Sequence, residues 1–141
     1  MIKEGTFLKF IPPTLSGGNS RDNKARYMLV IENNLNDNFI KMINVSSTKN
    51  KEHKLLYDSN ISIQNYSPLP VPSFAKLDTL YIIDYFNELE NFIAFDSQTL
   101  IPEQLDIIKK KRLDYILNKK SSVIQFTENE FKKYNKNSEV I

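Results

Sequence analysis

Tyr27-Met28-Leu29-Val30-Ile31-Glu32 is an unbroken apolar run of strand length, and Phe39-Ile40-Lys41-Met42-Ile43-Asn44-Val45-Ser46 follows it with alternating character. The first reads as a buried central strand, and the second as a strand with one face against a core. Between them, residues 33–38 are rich in Asn and Asp, the residues that tolerate tight turns. The two runs therefore pair as an antiparallel hairpin. Upstream, residues 6–11 read as an opening strand that Pro12-Pro13 ends, because proline cannot donate to a sheet ladder. Downstream, Leu55-Tyr57, Ile61-Ile63, Thr79-Asp84 and Asn91-Phe95 read as further short strands. Pro68, Pro70 and Pro72 make the stretch between 66 and 72 an extended connector.

The end of the chain changes period. Pro102 stands where a first-turn proline belongs, with Thr99 as a candidate cap, and apolar residues recur at helical spacing up to about Asn118. A weaker helical stretch, 127–134, opens with Thr127 and Glu130 in capping-box spacing, and residues 135–141 are expected to fray. Many short strands followed by helix predict a mainly β, α+β chain: a small SH3-like antiparallel barrel with a C-terminal helix, and not a βαβ fold. The barrel and its helix take residues 1–120, and residues 121–141 form a helical or partly disordered extension.

Composition narrows the chemistry. At 141 residues, 40% hydrophobic, the chain can bury one core. It has no cysteine and a single histidine, His53, which excludes a disulfide framework, a thiolate zinc site, a cysteine nucleophile and a two-histidine acid–base pair. No run of about 18 apolar residues is present to span a membrane, and the first residues lack the layout of a signal peptide. A cytoplasmic protein without metal or cofactor is expected. The net charge of +2 permits an anionic partner without demanding one.

Three groups of residues can carry chemistry. All three glycines lie early, and Gly17-Gly18 stand side by side in the loop between the first two strands. Arg21, Lys24 and Arg26 follow, and an arginine opening a buried strand supplies a permanently charged fork suited to phosphate. The plainer reading is a glycine turn and an Arg–carboxylate pair. Ser46-Ser47-Thr48 place three hydroxyls at a strand end, where they either donate to phosphate oxygens or satisfy the turn. Asp84, closing the run Leu80-Tyr81-Ile82-Ile83, is a base, an arginine anchor or a strand cap.

The order of these features resembles the MazF/PemK (Kid) toxin family. Glu4-Gly5-Thr6-Phe7-Leu8 matches the family's opening strand, and Gly17-Gly18 and Arg26 match its loop and arginine. Leu29-Val30-Ile31-Glu32-Asn33 matches the next strand, Val45-Ser46-Ser47 the V-T-S strand end, and Asp78 to Asp84 the later strand. The likeness runs from about residue 3 to 118. Tyr27 stands where the family has proline, Asn87-Glu88-Leu89-Glu90 where it has R-T-I-D, and Ile82 where some members carry an arginine.

The resemblance implies the toxin of a toxin–antitoxin system: a metal-independent endoribonuclease that cuts single-stranded RNA to 2′,3′-cyclic phosphate and 5′-hydroxyl ends. It assigns Arg26 to transition-state charge, Ser46 to a phosphoryl oxygen and Asp84 to the base. Ser16, Gly17, Gly18, Arg21, Lys24, Ser47 and Thr48 would contact RNA. A homodimer and a cognate antitoxin, protein or RNA, go with that reading. The alternatives are a non-catalytic SH3-like module that binds nucleic acid or peptide, and an accessory protein whose barrel has lost its activity.

Overall fold

The structure, a computed structural model, describes residues 2–13, 24–34 and 36–135. Its strands are β1 (Phe7–Phe10), β2 (Arg26–Asn34), β3 (Phe39–Ser47), β4 (Asn60–Ser62), β5 (Ser73–Lys76), β6 (Thr79–Asp84) and β7 (Ser122–Phe126). Two α-helices, α1 (Pro102–Asn118) and α2 (Glu128–Tyr134), and short 3₁₀ turns at Glu52–Leu56, Asn87–Phe92 and Phe95–Ser97 complete it. The chain is thus mainly antiparallel β with a few helices, as its patterning predicts. The sheet is open, running β1-β2-β3-β5-β4, with β6 also on β3 and β7 on β6.

The hairpin read from the sequence is the centre of this sheet. β2 and β3 pair from Tyr27↔Val45 to Asn34↔Phe39, with a bulge at Ile31 that absorbs one extra residue. Beyond β3, two strands lie end to end. β6 pairs with the Phe39–Met42 half and β5 with the Val45–Ser47 half. The chain therefore steps out of register between them, at Leu77 and Asp78.

The sheet separates two apolar layers by strand alternation. One layer joins Phe7, Leu29, Ile43, Val45, Ala75 and Leu77 to Leu105 and Ile108 of α1. The other joins Leu8, Phe10, Met28, Met42 and Ile83 to Phe126 and to Phe131 of α2. Fully burying each such side chain contributes roughly 1.5–3 kcal/mol. Phe131 is fully buried and its ring lies 4.8–5.3 Å from those of Phe10, Phe86 and Phe92. Along the outer side of β1, Ala94 donates to the Phe7 carbonyl and Leu100 to that of Gly5. Gly5 has φ of +90°, and a Cβ there would press on Leu100 O and Thr99 at 3.3 Å, so only glycine fits easily.

Several expectations need correction. β6, α1 and β7 form a parallel crossover, β6 and β7 pairing from Thr79↔Ser122 to Ile83↔Phe126. A βαβ unit is therefore present, although the rest of the sheet is antiparallel. The sequence hides it because β7 buries only Phe126 and leaves Val123 and Gln125 exposed. From Ser122 on, the chain adds this strand and α2 to the common sheet and core. Asn135 is buried rather than frayed. It accepts from Ile11 N at 2.7 Å and donates to the carbonyls of Ile11 and Phe131. Leu55 and Leu56 lie in a 3₁₀ turn, not a strand, and so do Asn91 and Phe92, with only Ile93 bridging to Leu8. α1 starts at Pro102 as expected, yet its N-cap is Ile101 and no side chain caps it, so Thr99 does not serve. The capping box of Thr127 and Glu130 is present in full.

Candidate functional site

β2 begins with Arg26, which pairs on its other side with Phe10 of β1. The hairpin register sums to a constant through Tyr27↔Val45. The printed pairs end there, and carrying the register one residue further would set Arg26 across from Ser46. In an antiparallel pair, such opposed side chains stand about 4.5–5.5 Å apart at Cβ and on the same face. Alternation puts both on the face opposite α1, in line with Met28 and Asn44. Asn44 is buried and donates to the Tyr27 carbonyl at 3.1 Å, tying β3 to β2 beside the pair.

The three hydroxyls at the end of β3 separate in their duties. Ser47 Oγ accepts from Lys49 N at 3.1 Å, and Thr48 Oγ1 donates to the Pro72 carbonyl at 3.2 Å. Both are committed to the turn, as the plainer reading has it. Ser46 is 9% exposed, and its hydroxyl has no hydrogen-bond partner among the described residues. A hydroxyl held at a strand end with its donor unspent suits an incoming acceptor.

A second cation approaches from the other side of β3. Ser46 pairs with Phe74, and Lys76 lies two residues further along β5, on the same face. Lys76 is half-buried. Burial lowers its pKa from the usual 10.5, and the charges of Lys54, Lys51 and Arg26 lower it further, against Asp78. Tyr81 of β6 is also half-buried, with its phenol pushed above 10.0 by burial and then by Asp78, while Arg26 opposes the rise. The charges of Arg26 and Asp78 thus act on both Lys76 and Tyr81. Lys51 and Lys54 belong to a segment fixed by Lys51 N to Thr48 O at 2.8 Å and Asn60 Nδ2 to Lys54 O at 2.9 Å.

The structure does not bring Asp84 into this group. It pairs with Phe39 at the far end of β3, seven residues from Ser46, or roughly 23 Å at strand rise. It is exposed there. Lys24 is exposed just before β2. Ser16, Gly17, Gly18 and Arg21 lie outside the described residues.

Sequence reading missed Lys76, Asn44 and Tyr81. Lys76 sits in Ser73-Phe74-Ala75-Lys76, a strand obscured by the three prolines before it, in a chain so rich in lysine that one lysine carries little signal. The alternation Phe74, Lys76 against Ala75, Leu77 was the available clue. Among the described residues, no group of three or more His, Cys, Asp or Glu is placed to hold a metal ion. Nor is any described helix long and apolar enough to cross a membrane. The chain matches no protein-family model, and no curated protein matches it at a significant level.

Proposed function

We propose that the protein is a metal-independent endoribonuclease of the MazF/PemK toxin kind, acting on single-stranded RNA in the cytoplasm. The reading is supported by the β2–β3 register, which, carried one residue past Tyr27↔Val45, brings the Arg26 position toward Ser46, whose hydroxyl makes no hydrogen bond among the described residues. A guanidinium and a hydroxyl on one face make a cradle for a phosphodiester. In the reaction, the 2′-oxygen attacks the adjacent phosphorus, a new O2′–P bond forms, and the P–O5′ bond breaks. Arg26 neutralises charge that grows on the phosphoryl oxygens, and Ser46 donates a hydrogen bond to one of them. The 2′-hydroxyl loses one proton and O5′ gains one, so the ends are a 2′,3′-cyclic phosphate and a 5′-hydroxyl. Asp84 has no part in this scheme, being at the other end of β3.

The finer architecture goes with the same proposal: an SH3-like roll of short strands, assembled as a homodimer and neutralised by a cognate antitoxin. The bulge at Ile31 and the register step at Leu77 and Asp78 support it, because such irregularities let a sheet coil. The test is direct. The purified chain, incubated with mixed single-stranded RNA in excess chelator, is expected to cut it and leave 5′-hydroxyl ends, while Arg26→Ala leaves the RNA intact. RNA that is bound but never cut would make the chain a non-catalytic nucleic-acid-binding module. Cleavage lost in chelator and restored by a divalent cation would overturn the mechanism.

A further inference from the structure

The Arg26–Ser46 pair accounts for one flank of the phosphate cradle and leaves the other unassigned. That flank is β5. Phe74 is the registered partner of Ser46, so Lys76 is its diagonal neighbour on the same face. Diagonal neighbours are about 7–8 Å apart at Cα, within reach of a long side chain. With the β2–β3 register carried one residue past Tyr27↔Val45, Ser46 stands between the Arg26 position on β2 and Lys76 on β5.

Among the described residues, the Lys76 side chain makes no hydrogen bond or ion pair, and neither do those of Lys51 and Lys54. The acid whose charge it feels is Asp78, while Lys54, Lys51 and Arg26 all repel it. Its strand neighbour Asn60 turns its side-chain amide away to the Lys54 carbonyl. Tyr81, across the register step, offers a neutral phenol held above its ordinary value. Half-buried and exposed lysine charge without ion pairs among the described residues raises the energy of the folded chain, and an anion relieves it.

We propose that Lys76 is the second cation of the phosphate site, gripping from the β5 side the phosphodiester that Ser46 and Arg26 hold from the β2 side. Lys51 and Lys54 extend the same positive ground toward the next phosphate of the strand. The assignment rests on the nuclease reading for its substrate, and it adds a residue that the family resemblance does not supply. Two cations on one phosphate also explain how a site with a single arginine neutralises a dianionic transition state.

The experiment measures binding and cutting separately. Binding uses mixed-sequence single-stranded DNA, which lacks the 2′-hydroxyl and so cannot be cut by this chemistry, at a series of salt concentrations. Lys76→Met is expected to weaken binding roughly 10- to 100-fold, as loss of a charge-assisted contact does. It should also lower the slope of log affinity against log salt by about 0.7, the share of one phosphate contact. Lys76→Arg should restore most of both, which a merely structural role would not produce. RNA cleavage by Lys76→Met should fall at least as far as binding. Unchanged affinity and salt slope in Lys76→Met would overturn the assignment, even with RNA cleavage intact. Conversely, Lys76-dependent DNA binding by a wild-type chain that never cuts RNA would keep the anion site and remove the nuclease reading.

Discussion

The two ends of β3 are built for different purposes. At the Phe39 end, β3 runs between β2 and β6 and β7 extends the sheet, while the aromatic rings around Phe131 join Phe126 of β7 to Phe10, the cross-strand partner of Arg26. At the Ser47 end, the same face of the same strand carries Asn44 and Ser46, with Arg26 on one side and Lys76 on the other. One end spends its side chains on packing. The other holds polar groups at little or half exposure, and among the described residues neither Ser46 nor Lys76 makes a side-chain hydrogen bond or ion pair. On the proposed function, substitutions of the packed rings and of Arg26 and Ser46 should separate stability from activity.

The largest effect belongs to the packed rings. Phe131→Ala removes a fully buried ring that meets Phe10, Phe86 and Phe92. It should cost about 3–5 kcal/mol of stability by urea denaturation, with cleavage per folded molecule close to wild type below the transition. A loss under about 1 kcal/mol would mean that α2 is dispensable to the core, and the division described above would fail.

Arg26→Ala should invert that result. Activity is expected to fall about 10²- to 10³-fold, the usual consequence of removing a charge-stabilising donor from an oxyanion site. The urea midpoint should move far less than in Phe131→Ala. Equal losses of stability and activity would show Arg26 to be a structural residue. Ser46→Ala should lose about tenfold, as one neutral hydrogen bond does, and Ser46→Thr should keep activity because it keeps the hydroxyl. Asp84→Asn, made at the packed end and exposed, is expected to change cleavage less than about twofold, within what surface substitutions do. A collapse of activity in Asp84→Asn would place the chemistry elsewhere on the sheet.

This division also explains what could be read from the sequence. The β2–β3 hairpin was legible because both runs are long and their periodicity is strong, and it carried Arg26 and Ser46 with it. Asp84 looked equivalent in one dimension, an acid ending an apolar strand. Only the pairing of β6 with the Phe39 half of β3 reveals that it ends at the wrong side. Lys76 was illegible for the converse reason. Its proximity to Ser46 comes from β5 and β6 sharing the side of β3, a long-range pairing that no local pattern encodes. β7 escaped because a parallel edge strand after a crossover buries little: Phe126 is covered, whereas Val123 is 58% exposed.

The smallest effect is in stability alone, and it concerns Lys76. Its folded-state pKa lies below 10.5, with burial as the first cause and the nearby cations next. Between that lowered value and 10.5, the unfolded chain binds more protons at this residue than the folded chain does. Stability therefore rises with pH through that window, and below it the charged lysine weighs against the fold. Lys76→Met, which cannot titrate, should accordingly be more stable than wild type at neutral pH. The gain should shrink as pH climbs toward 10.5, where the wild-type lysine is neutral in the folded state. Urea midpoints of the two proteins at pH 7 and at alkaline pH check the sign. A variant less stable than wild type at neutral pH would mean that the fold needs this charge, and the lysine would then belong with the packed end of β3 rather than with the phosphate cradle.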